Sequence, residues 1–425
     1  ALETVRRDFS PACYVQSVQA PLERLLNHKP DLESPFVISL FKKRSAVMIA
    51  NTRVGIPLTG CNGWYGGVSY VETLVRSVVS LPTDERPKLY LVLAEKDIPD
   101  CNLCQPFTHL FDGVLFVGRK ELFPEEILGR SAECCANWEE LFSIIDFYYP
   151  VNSELLPYPQ AVPWIPDFQH RRLPEFFASY DYQRRETQFQ KIASEARTVV
   201  VNSQSAEKDF KEFYPSAKAT VHVLPACPLP GDAWYTADPA AVEQKYHLPN
   251  RFILCSNQFW VHKNHLTLFQ AIALLQKRGL DVHLVCTGAA RDYRNSGYFD
   301  NLQAEINRLG ITNNISILGH IPREDQLQLL RRSLFGVQPS LFEGLSLFVQ
   351  ECRVLGKPVV MSDLDVHLEY GYGIPFSRHN PSDLADKMAT LLASSQPGPD
   401  TQAEARARGL AIQESRLDRK STRLN

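Results

Sequence analysis

Pro339-Ser340-Leu341-Phe342-Glu343-Gly344-Leu345-Ser346-Leu347-Phe348-Val349-Gln350-Glu351 is the stretch on which the reading of this chain turns. The apolar run Leu334 to Val337 leads into it, and two glutamates separated by seven residues span its second half. A helical pattern follows and ends at Gly356, after which Lys357-Pro358-Val359-Val360-Met361 reads as the next strand. Glu343 is thereby expected in a strand-to-helix loop and Glu351 about two turns into the helix. Such loops form the crevice at the carboxyl ends of the strands in an open α/β sheet, where these folds bind ligands.

Working outward, β-rich runs alternate with helical patterns. Strands are expected at Ala46–Ala50, Leu89–Leu93, Val114–Val117, Thr198–Val201 and Val221–Leu224, and again at Phe252–Cys255, Val282–Cys286, Ile315–Leu318, Phe335–Val337 and Val359–Met361. Near-continuous apolar strands separated by helices argue for parallel sheets covered on both faces. Pro225, Pro228, Pro230 and Gly231 interrupt the pattern and mark an interdomain linker. The expected fold class is α/β, with two doubly wound domains facing each other across a cleft, a usual place for ligands.

At 425 residues the chain exceeds one ordinary core, and its 44% hydrophobic and 22% charged content are those of a soluble globular protein. A net charge of −3 gives no reason to expect nucleic acid as a partner. No run is long and apolar enough for a membrane span, and no signal peptide opens the chain, so a cytoplasmic protein is expected. Of the ten cysteines, Cys255, Cys286 and Cys352 fall in apolar patterns that suit a small hydrophobe. Cys101-Asn-Leu-Cys104, with Cys134-Cys135 further on, invites a zinc reading, but no second pair has ligand spacing and reduced thiols are favoured.

Three further constellations carry chemistry. Ser256-Asn257-Gln258-Phe259-Trp260-Val261-His262-Lys263-Asn264-His265 follows an expected strand, and a lysine opening a helix is a poor dipole match unless it serves an anion. Trp164-Ile165-Pro166-Asp167-Phe168-Gln169-His170 places a histidine after an apolar run. Asn62-Gly63-Trp64-Tyr65-Gly66-Gly67 supplies glycines that permit close backbone approach to a ligand. No G-x-G-x-x-G follows a strand, which disfavours a dinucleotide oxidoreductase. Asp363-Leu-Asp365 has the look of a metal-binding pair but reads as a turn.

Taken with Gly344 and Gly356-Lys357-Pro358, the Glu343 and Glu351 segment resembles the Glu-x7-Glu motif of the retaining GT-B glycosyltransferases of the group 1 family. The resemblance covers roughly residues 45–395 and is strongest over 251–370. It implies a GT-B fold with an N-terminal extension over 1–44, an acceptor-side domain over 45–230, a nucleotide-sugar donor domain over 231–395 and a C-terminal tail over 396–425. It gives Glu343 to the donor sugar, Glu351 to the ribose, and the amides around Gly344, Leu345, Ser346 and Leu347 to the diphosphate. It also gives Lys263 to the diphosphate, His170 to the donor sugar, and Gly66 and Gly67 to a loop over the phosphates. The chain departs from the family with Gln258 where an arginine is usual, Ser346 for glycine and Phe348 for proline.

The implied activity is transfer of a hexosyl group from a nucleotide sugar to a hydroxyl of a saccharide or lipid-linked saccharide, with retention, without a metal or other cofactor. The implied setting is cell-surface polysaccharide or glycoconjugate assembly in the cytoplasm, at the inner face of the membrane with at most peripheral contact. Sugar phosphorylases and nucleotide-sugar epimerases share the fold and stay open, as does a nucleotide-sugar-binding module of weak catalytic power. Arg6 to Tyr14 is similar to a tail segment that follows a sugar-transferase domain, which suggests a fragment of a longer, tandem protein.

Overall fold

The computed structural model describes residues 51–60, 64–83, 86–119, 121, 128–226 and 228–410, and the statements below concern these. The expected strand Ala46–Ala50, Asn62 and Gly63, the extension over 1–44 and the part of the tail after 410 lie outside them. The described chain forms two compact units. One comprises 51–167 and Gln183–Ala226, the other Phe168–Tyr182 and the residues from 228 onward. Phe168–Tyr182, which contains His170, thus belongs with the second unit.

The first unit is built on an eight-stranded parallel sheet. Its strands are β1 (Arg53–Pro57), β2 (Lys88–Ala94), β3 (Gly113–Val117), β4 (Ala132–Cys135), β5 (Phe147–Asn152), β6 (Ala161–Ile165), β7 (Thr198–Val201) and β8 (Thr220–Val223). Their spatial order is β4-β3-β2-β1-β5-β6-β7-β8, so the winding direction reverses between β1 and β5. The sequence patterns expect neither β1 nor β4 or β5, and mark β6 only as the apolar run that precedes His170. Pro57, Pro150 and Pro163 stand inside three of these strands, and proline removes a ladder donor and argues against a central strand. The sheet accommodates Pro150 with a register irregularity between Tyr148 and Val151.

The second unit carries a six-stranded parallel sheet of β9 (Ile253–Ser256), β10 (Leu284–Thr287), β11 (Ile315–Ile317), β12 (Gly336–Gln338), β13 (Val359–Ser362) and β14 (Ile374–Phe376). The order β11-β10-β9-β12-β13-β14 reverses between β9 and β12. The helices His265–Lys277 and Pro381–Ser394 bury Leu268, Phe269, Ile272, Leu384 and Met388 with Ile253, Leu284 and Val337 in one core. Fully burying a side chain of this size contributes about 1.5–3 kcal/mol.

Residues 401–410, expected in a tail, form a helix held to this unit. Arg331 donates to Glu404 at 2.7 and 3.1 Å, with both side chains buried. Lys357 is buried beside them and donates to the carbonyls of Arg331 and Ser333. Burial pushes its ammonium down to about 8. Among the described residues no helix is long and apolar enough to cross a membrane.

Candidate active site

The winding reversal of the second sheet puts the carboxyl ends of β9 and β12 side by side, and both motif loops leave from there. After β9 the chain makes a short turn at Val261–Lys263, and Asn264 adopts a left-handed φ of 56° before the helix His265–Lys277 begins. After β12 the loop Pro339–Ser346 leads into the helix Leu347–Val354. The two loops are stitched together. Leu341 N–H donates to the His262 carbonyl at 2.7 Å, and Asn264 Nδ2 donates to the Pro339 and Arg378 carbonyls, each at 3.0 Å.

This stitching brings Lys263 and Glu343 together. Lys263 Nζ lies 2.7 Å from Glu343 Oε1 and 2.9 Å from Oε2, with side chains only 17% and 7% exposed. Glu343 Oε1 also accepts from Ser340 Oγ at 2.6 Å and from Gln338 Nε2 at 2.7 Å. The carboxylate is therefore anchored on one oxygen by neutral donors and shares the lysine across both.

Glu351 lies little more than one turn into its helix, not two, because the helix starts only at Leu347. It is 1% exposed, and it accepts from Arg323 and, at 3.4 Å, from Gln326. Arg323 opens the helix Arg323–Arg332 and packs over the Trp234 ring. The sequence reading missed it, although a cation in the first turn of a helix is the same dipole mismatch that singles out Lys263.

Ser346 is buried immediately before its helix, and its amide donates to the Tyr370 hydroxyl at 2.8 Å. Gly344, Leu345 and Leu347 line the same turn and are half-buried, as is Gln258 beyond the end of β9. Gly66 and Gly67 fall in the first turn of the helix Tyr65–Val79 rather than in a loop. A Cβ at Gly67 would come within 2.8 Å of the Gly60 backbone, so this glycine is required for packing inside the first unit.

His170 sits in the short helix Gln169–Arg172, fully buried, with its ring edge-on to Phe177 and Tyr182. Its neighbour Gln169 accepts from Arg294 Nη1 at 2.8 Å, while Arg294 Nη2 donates to His262 Nδ1 at 3.2 Å. Arg294 also packs against Phe177 and Trp260 and so ties the His170 segment to the Lys263 turn. Burial, and then the charges of Lys263 and Arg294, hold His262 well below the usual histidine range. His262 is thereby a neutral acceptor. His265 stacks on Phe259 with ring centroids 4.3 Å apart.

Cys101 and Cys104 are buried in the turns of Glu95–Leu110. Asp363 is engaged by Arg378 at 2.6 Å. Among the described residues no group of three His, Cys, Asp or Glu side chains is placed to hold a metal ion.

Residues 242–409 match the Glycosyl transferases group 1 family. The two-sheet α/β fold is of the GT-B type. Similar solved structures include HepE (Alr3699) of Anabaena in complex with UDP and glucose, at 16% identity with a TM-score of 0.58, covering 88% of this chain and 100% of that one. Sucrose-phosphate synthase of Thermosynechococcus elongatus is similar at 13% identity and a TM-score of 0.53, covering 88% of this chain and 100% of its own. WaaG, a glycosyltransferase involved in lipopolysaccharide biosynthesis, is similar at 12% and 0.54, covering 87% and 98%. No curated protein sequence matches the chain.

Proposed function

We propose that this protein transfers a sugar from a nucleotide-sugar donor to an acceptor hydroxyl with retention of anomeric configuration, and needs no metal. The observation that carries the proposal is the pairing of Lys263 with Glu343 at the winding reversal between β9 and β12. A cation and an acceptor carboxylate held there suit the two ends of one ligand, an anionic diphosphate and a hydroxylated sugar.

In this reading Lys263 moves from Glu343 to the donor diphosphate and stabilises the departing charge. Glu343 takes the sugar hydroxyls, and Glu351 exchanges Arg323 for the ribose. The Ser346 amide, at a helix start, exchanges the Tyr370 hydroxyl for a phosphate oxygen. Gln258 leaves the turn after β9 one cation short of the family pattern. The bond between the anomeric carbon and the diphosphate oxygen breaks while a bond to the acceptor oxygen forms on the same face. The acceptor proton passes to the departing phosphate oxygen. No side chain has to act as nucleophile, in contrast to the paired carboxylates of retaining hydrolases.

HepE was solved with UDP and glucose, which supports testing uridine donors first. WaaG acts in lipopolysaccharide biosynthesis, which supports cell-surface polysaccharide or glycoconjugate assembly as the setting, with a cytoplasmic enzyme and a saccharide or lipid-linked saccharide acceptor. The test is a thermal-shift screen of UDP-, GDP- and ADP-linked sugars, followed by release of free nucleotide with candidate acceptors in the presence of EDTA. One donor should raise the melting temperature and release nucleotide only when acceptor is added. Release that needs inorganic phosphate, or binding without release, would point to a phosphorylase or a binding module instead.

A further inference from the structure

Beneath the Lys263–Glu343 pair runs a chain of side-chain hydrogen bonds that joins the ends of two strands. Asn257 follows β9 directly and Gln338 ends β12, the strand paired with it across the winding reversal. The two amides bond reciprocally. Asn257 Nδ2 donates to Gln338 Oε1 at 3.0 Å, and Gln338 Nε2 donates to Asn257 Oδ1 at 3.2 Å. Gln338 Nε2 also reaches Ser340 Oγ at 3.1 Å and Glu343 Oε1 at 2.7 Å. Asn257 and Gln338 are 8% and 1% exposed.

Two details make this more than packing. The Gln338 carbonyl is held by Asn257, which fixes the orientation of the amide and turns its N–H edge toward the carboxylate. The opposite orientation would set a carbonyl oxygen against a carboxylate oxygen. The backbone at Asn257 is fixed as well. Gly288, at a left-handed φ of 129°, lies so close to it that a Cβ would stand 2.1 Å from the Asn257 carbonyl oxygen.

We infer that Asn257 and Gln338 are positioning residues that hold Glu343 by Oε1 and so present Oε2 to the donor sugar once Lys263 has moved to the diphosphate. The inference rests on the donor-binding proposal above. It adds that Ser340 and Gln338 keep the carboxylate in place after its counter-ion leaves. An unanchored glutamate would follow the lysine or turn between rotamers, and the sugar would lose its fixed acceptor.

The experiment uses the full chain with Q338L, which keeps the volume and deletes the amide, and the near-isosteric Q338E and N257D. Loss of one hydrogen bond to a charged group predicts that Q338L lowers donor kcat/KM by about tenfold or more. The Kd for the free nucleoside diphosphate, which carries no sugar, stays at the wild-type value. N257D turns an oxygen toward Gln338 Oε1 and should reproduce the Q338L defect. Q338E supplies a donor only while one of two touching carboxylates keeps a proton, so its activity should recover toward low pH while the wild type's does not. A parallel loss of nucleoside diphosphate affinity, or a Q338E pH profile equal to the wild type's, would overturn the inference. The unliganded Q338L crystal structure gives the independent check, with the Glu343 carboxylate expected to be displaced and an unmoved one refuting the positioning role. A wild-type protein that binds no nucleotide sugar would instead refute the donor assignment, and the two failures are told apart.

Discussion

Replacing Lys263 with Met isolates the pair at the centre of this account. Lys263 and Glu343 are 17% and 7% exposed, so the variant would leave a carboxylate largely out of water without its counter-ion. Breaking a fully buried pair costs about 3–5 kcal/mol. Here Glu343 keeps Ser340 at 2.6 Å and Gln338 at 2.7 Å, and the lysine is partly solvated, so we expect about 2 kcal/mol. The double variant K263M/E343Q removes the uncompensated charge and should regain most of that loss. Turnover should behave differently. The single variant should lose about 10²-fold or more, the scale of removing one preorganised charge-stabilising group, and the double variant should recover none of it. Urea denaturation of the wild type, K263M, E343Q and the double variant gives the stability cycle, and acceptor-dependent nucleotide release gives the activities. Turnover within a few-fold of wild type in K263M, or turnover that returns together with stability in the double variant, would refute the assignment of Lys263 to the leaving group.

E351Q keeps the shape of the side chain and removes the charge. It should raise the Kd for the nucleoside diphosphate about tenfold or more by calorimetry, the scale of one charged hydrogen bond, and unchanged binding would rule out the ribose role. His367 is buried with Nδ1 on the Ser362 carbonyl at 2.9 Å, and burial holds it down to about 4 from 6.5. Between these values the unfolded chain takes up a proton that the folded protein does not, so stability falls as pH drops from 6.5 to 4, by about 3 kcal/mol at most. H367Q should flatten the pH dependence of the urea midpoint over that window, whatever it does to stability at pH 7, and an unchanged slope would contradict the cause assigned.

The second unit could be read because its strands are short apolar runs bounded by turn residues, as at Ile253–Ser256 and Val359–Ser362. Glu343 and Lys263 were legible for a local reason, each standing where a strand gives way to a turn. Much of the first sheet was not. Prolines 57, 150 and 163 break the period that marks a strand, and only the neighbouring strands make those positions extended. The partners of the legible residues were hidden for another reason. Asn257 meets Gln338, and Arg323 meets Glu351, across β9–β12 adjacency and helix packing that no local pattern encodes. Tyr370, on the Ser346 amide, was invisible in the same way. Gly66 and Gly67 look like a loop because a glycine pair usually is one, yet both fall in the first turn of a helix, where the close approach of Gly60 leaves no room for a Cβ at Gly67.

In the proposed function the Lys263–Glu343 pair opens to receive one donor molecule. The measurement that tests it most directly is a crystal structure of the full chain with the nucleotide sugar that gives the largest thermal shift. In that structure Lys263 Nζ should lie on the diphosphate and Glu343 Oε2 on a sugar hydroxyl, with Oε1 still on Ser340 and Gln338. A donor bound with the Lys263–Glu343 pair still closed at 2.7 Å, or bound away from the β9–β12 reversal, would contradict it.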